Sequence, residues 1–213
     1  LMPTPALSFA VRDLHCDGGV VITASHNPAK YNGYKVYGAD GCQITTEAAK
    51  AIQQAIDGVD PFDDVRQEAF DAAVRAGRIR YIGEDTVDRY QAAVATASVL
   101  PEGVDKNVAI VYTPLNGAGI SCVPRCLQEH GFTNIIIPDE QKDPDGNFPT
   151  CPYPNPEVKE ALEVGLRWAE KTQSDLLLAT DPDCDRVGAA VKDGAAYTLI
   201  NGNQMGVLLF DFI

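Results

Sequence analysis

Long hydrophobic runs are missing from this sequence. Its apolar stretches fall far short of a bilayer span, and its amino terminus, LMPTPALSF, has neither the charged start nor the long apolar region of a signal peptide. Histidine is scarce, and the three present (15, 26 and 130) are scattered. The six cysteines, at 16, 42, 122, 126, 151 and 184, include no C-x-x-C pair. Zinc is therefore not expected. N-x-Ser/Thr sequons are absent, and a chain of 213 residues needs no disulfide staples, so the cysteines read as reduced and the compartment as cytosolic. Basic residues are outnumbered 17 to 30, giving a net charge of −13 and a pI near 4.5. That balance excludes a general surface for nucleic acid or anionic membrane. It still permits an anionic substrate in a locally positive pocket. No repeat or low-complexity tract is visible. Position 1 is not Met, which reads as an excised fragment or a processed chain. What is present, 45 % hydrophobic residues, suffices for one large domain or two small ones.

The patterning predicts an α/β layer. A short helix is expected over Ala6–Leu14, then a buried strand at Val20–Ile22. Asn32-Gly33 is a tight-turn dipeptide, and Tyr34–Tyr37 alternates like a second strand, so the chain is expected to fold back and bring Lys35 near Ser25. Thr45 or Thr46 can cap a helix ending near Asp57. Residues 58–83 are irregular, Glu84–Leu100 reads as a helix, and Pro101-Glu102-Gly103 is the candidate domain boundary. Strands are then expected at Val108–Tyr112, Asn134–Ile137, Asp175–Thr180, Val187–Val191 and Ala196–Ile200. Helices are expected after Gly119 to about His130, from Asn155-Pro156 to about Thr172, and from Asn203 onward. This β-α-β-α-β order implies mainly parallel strands. The six prolines between Pro138 and Pro156 predict an extended surface loop.

Two polar clusters carry chemistry. In TASHNP at 23–28, a hydroxyl and an imidazole, Ser25 and His26, stand side by side just past a strand, a placement suited to a nucleophile. A polar turn between two strands is the plainer reading. In DPDCDR at 181–186, Asp181, Asp183 and Asp185 alternate, so an extended segment points all three the same way. Converging carboxylates repel unless a cation joins them, and hard oxygen ligands suit Mg²⁺; a solvated acidic turn is the alternative. An EF-hand is excluded, since Arg186 replaces its Gly and Lys192 its bidentate Glu. An aspartyl phosphatase with Asp181 as nucleophile is a competitor, weakened by Asp185 where Thr or Val is usual. Arg186 adds a fork of donors, at the least neutralising Asp183 or Asp185. Thr113–Gly119 reads as a strand-to-helix turn that could also cradle phosphate. Cys122 and Cys126 read as packing residues, and His15 and His130 carry no role. The two clusters are expected to meet in space.

TASHNP at 23–28, NGYK at 32–35 and DPDCDR at 181–186, with TPLNGAG at 113–119 and FPTCPYPNPE at 148–157, resemble the α-D-phosphohexomutases, nearest the phosphoglucomutase and phosphomannomutase branch. The resemblance covers nearly the whole chain. It implies repeated three-layer α/β sandwich domains with mixed, mainly parallel sheets. Residues 1–100 would be the later part of domain I, 101–193 domain II and 194–213 the start of domain III. It further implies an intramolecular phosphotransferase acting on a phosphorylated sugar. Ser25 would carry the phosphoryl group and, with Asp181, Asp183 and Asp185, hold Mg²⁺. Lys35 would be the general acid/base with a lowered pKa, His26 would orient the phosphoserine or share the proton work, and Arg186 would contact its phosphate or position the metal loop. A hexose 1,6-bisphosphate would be intermediate and activator. His26, Lys35 and Arg186 together would supply the positive pocket. Open alternatives are a pentose substrate, the aspartyl phosphatase, and a metal- and phosphate-binding piece without turnover.

Overall fold

The structure, a computed structural model, describes residues 1–213. Helix α1, Thr4–Asp13, opens with Pro5 in its first turn, where the missing N–H costs no hydrogen bond. Strand β1, Gly18–Ile22, pairs antiparallel with β2, Tyr34–Gly38, in register Gly18↔Gly38 to Ile22↔Tyr34. The chain therefore does fold back, but through the long loop 23–33 rather than a two-residue turn at Asn32-Gly33. Gly33 is needed for another reason: a methyl group there would collide with the Thr23 carbonyl oxygen, whose residue donates its N–H to Gly33 O at 3.1 Å. The β1 run is not buried. Its ladder has two strands only, and Ile22 is 61 % exposed and Tyr34 67 %.

Helix α2, Thr46–Asp57, is capped by the Thr45 hydroxyl and buries none of its residues. A short helix α3, Phe70–Arg75, breaks the irregular stretch, and α4, Glu84–Thr96, ends before the expected Leu100. Arg89 on α4 forks onto Asp13 at 2.7 Å, tying α4 to the end of α1.

The second region is a five-stranded sheet in the order β4-β3-β5-β6-β7, formed by β3 (Ile110–Thr113), β4 (Ile135–Ile136), β5 (Leu176–Thr180), β6 (Val187–Asp193) and β7 (Ala196–Ile200). The β4–β3 and β3–β5 pairs are parallel, joined by connections long enough to hold helices α5 (Val123–Glu129) and α6 (Lys159–Thr172). The β5–β6 and β6–β7 pairs are antiparallel, because residues 181–186 and 194–195 are too few for a crossover of about a dozen. The class is α/β with a mixed sheet. Val111, Leu177, Ala179 and Ala190 pack with Leu162 and Ala169 of α6 in one closed cluster. On the opposite face Tyr112 shares a hydrogen bond with Thr180 at 2.9 Å. There a 3₁₀ turn, Ala118–Ser121, comes so close that a methyl group on Gly119 would overlap the Tyr112 hydroxyl. This turn replaces the first part of the helix expected after Gly119, and α5 starts only at Val123.

The proline-rich loop 138–156 lies at the surface, with Pro144, Pro149 and Pro152 exposed, but it is a series of turns anchored inward. Pro138, Gln141, Pro154 and Pro156 are fully buried. Its polar groups are satisfied internally, as burial demands: Thr113 Oγ1 donates to Gln141 Oε1 at 2.8 Å, Gln141 Nε2 donates to Thr150 Oγ1 at 3.0 Å, and Asn116 Nδ2 donates to the Asp143 carbonyl at 2.8 Å. Pro156 does not open α6. It lies against Gly188 of β6, where a side chain would strike its carbonyl, so α6 begins later, after Val158. Asn155 instead accepts from the Glu157 N–H at 3.0 Å, a turn ahead of the helix. Helix α7, Gly202–Phe212, starts from a capping box at Asn201 and Gln204 and buries no residue. All six cysteines are free. No helix is long and apolar enough to cross a membrane.

Candidate active site

Loop 23–33 and loop 181–186 face each other. Ser25 sits in the left-handed region at φ 52°, sparsely populated by side chains with a Cβ. Its N–H donates to Thr23 Oγ1 at 2.8 Å, a local turn that holds the geometry. From there Ser25 Oγ lies 3.1 Å from His26 Nδ1 and donates to Asp181 Oδ2, also at 3.1 Å, across 156 positions of sequence.

The acidic loop is fixed from two sides and by one bond of its own. Ala118 N–H donates to the Pro182 carbonyl at 2.7 Å, Thr4 N–H to the Asp183 carbonyl at 2.8 Å, and Cys184 N–H back to the Asp181 carbonyl at 2.9 Å. Cys184 adopts φ 56°, and burial pushes its thiol up to about 12. Asp181 Oδ1 accepts from the Asp185 and Arg186 N–H groups at 3.1 and 2.9 Å. Asp181, Asp183 and Asp185 thus offer oxygens within 4.8 Å of one another. Asp181 and Asp183 are buried and Asp185 is exposed.

Lys35 reaches this cluster from β2, donating to Asp183 Oδ2 at 2.8 Å and to Asp185 Oδ2 at 3.1 Å. Its pKa is not lowered. Burial alone pulls it down, but hydrogen bonds and charge from Asp183 and Asp185 outweigh burial and raise it. Burial, then the adjacent Asp183 carboxyl, pushes Asp181 up to about 7. Burial acts on Asp183 in the same sense, but the Lys35 ammonium, the neighbouring Asp181 and the Thr4 hydroxyl hold it below the ordinary carboxylate range. Of the three cations expected here, Lys35 is engaged by two of the acids, His26 lies beside Ser25, and Arg186 is exposed, forms no ion pair and donates its backbone N–H to Asp181. The donor set fits a hard cation. Three carboxylates converge against a single lysine, and Asp183 Oδ1 is buried with no hydrogen-bond partner. Asp181, buried with both oxygens engaged, is poorly placed for a nucleophile. A cleft of about 290 Å³ adjoins Ser25, lined from the other region by Asn116, Gly117, Asp145 and Phe148 among others.

Sequence reasoning missed Thr4, whose hydroxyl donates to Asp183 Oδ2 at 3.1 Å. A separation of 179 residues leaves no local signal for that contact. The left-handed backbone of Ser25 and Cys184 was equally invisible, since neither is Gly or Asn.

Fold and site together define an α/β protein in which a serine loop on a small ladder abuts a three-carboxylate loop at the end of a mixed sheet. Comparison with known proteins narrows this class. Residues 1–61 match the family model for phosphoglucomutase/phosphomannomutase alpha/beta/alpha domain I, and residues 88–194 match that for domain II; the chain belongs to the phosphoglucomutase/phosphomannomutase family. It is 38 % identical over 208 residues to a phosphoglucomutase of Staphylococcus saprophyticus, covering 97 % of this chain and 37 % of that protein. A Staphylococcus aureus phosphoglucomutase is 36 % identical over 211 residues, with 98 % and 37 % covered. The chain thus spans about 37 % of the length of these relatives. The crystal structure of a Thermus thermophilus protein that carries a phosphomannomutase name superposes with a TM-score of 0.76 at 28 % identity, covering 99 % of this chain and 44 % of that one. A Burkholderia thailandensis phosphoglucomutase/phosphomannomutase family protein shares the fold, with a TM-score of 0.66 at 22 % identity over 94 % of this chain and 40 % of its own.

Proposed function

We propose that this chain carries the phosphoryl-transfer centre of a phosphohexomutase that interconverts hexose 1-phosphate and 6-phosphate, glucose phosphate foremost. Residues 1–100 belong to its domain I, 101–193 to domain II and 194–213 to the start of domain III. The observation that carries the proposal is the hydrogen bond from Ser25 Oγ to Asp181 Oδ2, which brings a hydroxyl carrier to the edge of a three-carboxylate cluster.

Ser25 carries the phosphoryl group. As a sugar hydroxyl oxygen bonds to phosphorus, the phosphorus–Oγ bond breaks, and the hydroxyl proton is balanced by one delivered to Ser25 Oγ. A bisphosphorylated sugar results, and it returns its other phosphate to Ser25 by the reverse exchange. Lys35, kept protonated by Asp183 and Asp185, gives a proton to Ser25 Oγ as the phosphorus–Oγ bond breaks and takes up the one the sugar hydroxyl releases, so it ends each exchange protonated; the return runs both transfers in reverse. His26 orients Ser25 through Nδ1. Arg186 is exposed and free to contact phosphate. Asp181, Asp183 and Asp185, with a phosphate oxygen on Ser25, would hold Mg²⁺. Such an ion, when bound, offsets charge on the transferring phosphoryl. A neighbour in fold, Aspergillus fumigatus N-acetylphosphoglucosamine mutase, was solved in complex with glucose 1,6-bisphosphate, the class of ligand proposed as activator here.

The test is incubation of the full-length gene product with labelled glucose 1,6-bisphosphate, followed by peptide mapping. Label is expected on Ser25 and lost in Ser25→Ala. Label on Asp181 instead would assign the chemistry to an aspartyl phosphatase.

A further inference from the structure

We infer that Thr4 is a positioning residue of the metal centre. It makes the unshared oxygen of Asp183 the one offered to a cation, and the inference rests on the metal-site reading above. Thr4 is buried and belongs to neither motif loop. It grips Asp183 at two points: its N–H holds the main-chain carbonyl at 2.8 Å, and its hydroxyl holds Oδ2 at 3.1 Å. Lys35 takes the same oxygen at 2.8 Å. Both donors thus lie on Oδ2, and Oδ1 is left buried and without a partner.

An orphaned buried carboxylate oxygen is costly, and it persists only where the surroundings dictate the rotamer. The Lys35 ammonium can follow either oxygen, because its stem is flexible. The Thr4 hydroxyl is short, and its backbone is bonded to the very residue it orients, so it can reach only one. Thr4 therefore fixes which way the Asp183 carboxylate turns, as outer groups around metal ligands generally do.

Thr4→Val keeps the shape of the side chain and the N–H bond to the Asp183 carbonyl but removes the hydroxyl. Mn²⁺ affinity of the full-length gene product, measured by titration calorimetry and by paramagnetic resonance of free Mn²⁺, should fall about 10–100-fold, the usual cost of losing such a partner. Thr4→Ser should restore it. Thermal unfolding without metal separates this from a packing effect: a purely structural Thr4 would lower the melting temperature of Thr4→Val and leave affinity within about twofold. Normal affinity in Thr4→Val, with Asp183→Asn strongly impaired, overturns the role of Thr4 and leaves the metal site standing. Normal affinity in both variants overturns the metal site and the inference with it. If Thr4→Val does not fold, failure of Thr4→Ser to bind Mn²⁺ as the unaltered protein does overturns the inference equally.

Discussion

The two regions that meet at Ser25 and Asp181 are built differently. The sheet of residues 110–200 closes on itself: Val111, Leu177, Ala179 and Ala190 show no exposed surface, and α6 seals that face. The β1–β2 ladder has no such core of its own. Val20 and Ile22 stay open, and its contacts run to α1 and across to the acidic loop. One region is a closed support. The other is an open ladder held against it by Ser25–Asp181 and Lys35–Asp183, with Thr4–Asp183 adding a contact from α1 beside it. Residues of equal hydrophobicity therefore carry unequal weight on the two sides, and charged residues carry more on the ladder than its apolar ones.

The largest expected effect is on the ladder side. Lys35→Met keeps the apolar stem but removes the proton and the ion pairs to two acids. Turnover of the full-length gene product should fall about 10²–10⁴-fold, the range of a general acid/base. A near-normal rate from about pH 6 to about pH 9 would remove Lys35 from the chemistry. Core truncations should then separate the regions. Leu177→Ala should destabilise by about 2–5 kcal/mol, while Ile22→Ala, at an exposed site, should cost roughly 0.5 kcal/mol or less. Urea unfolding with each variant checks this, and equal losses would erase the contrast.

A smaller effect concerns pH. Asp181 titrates at about 7 in the fold and at about 3.9 unfolded, so the folded state holds its proton longer. Its contribution to stability is complete below about pH 4 and is lost as pH rises through about 7. Asp183 runs the other way, contributing above its unfolded pKa and losing that as pH falls. In chelator-treated protein, Asp181→Asn should therefore be the more stable form at about pH 8, with the difference closing near about pH 4. Thermal melts across that range test the sign, and a difference that widens toward the acid end would reverse it.

Much of this was legible in the sequence, for a physical reason. Apolar runs, turn residues and caps are local signals, so the strands, the Thr45 cap and the return of β2 onto β1 could be read from neighbours along the chain. The three aspartates announced themselves by alternation. Exposure was not legible, since Val20–Ile22 reads as a buried run whether or not a sheet lies on each side. Pro138–Pro156 was legible as a surface loop but not in its inward anchors, because proline reports on backbone hydrogen bonding and says nothing of burial, which Gln141 and Asn116 make possible at those points. The sense of the Lys35 shift needed the third dimension too, because residues 148 and 150 positions away determine it.

The central claim is that the serine loop and the acidic loop form one centre. Phosphorus NMR of the Ser25-phosphorylated protein during Mn²⁺ addition tests it most directly. The phosphoserine resonance should broaden at Mn²⁺ well below one equivalent, and Asp183→Asn should restore a sharp line. A resonance that stays sharp while the three acids are shown by paramagnetic resonance to bind Mn²⁺ would mean that the loops act apart.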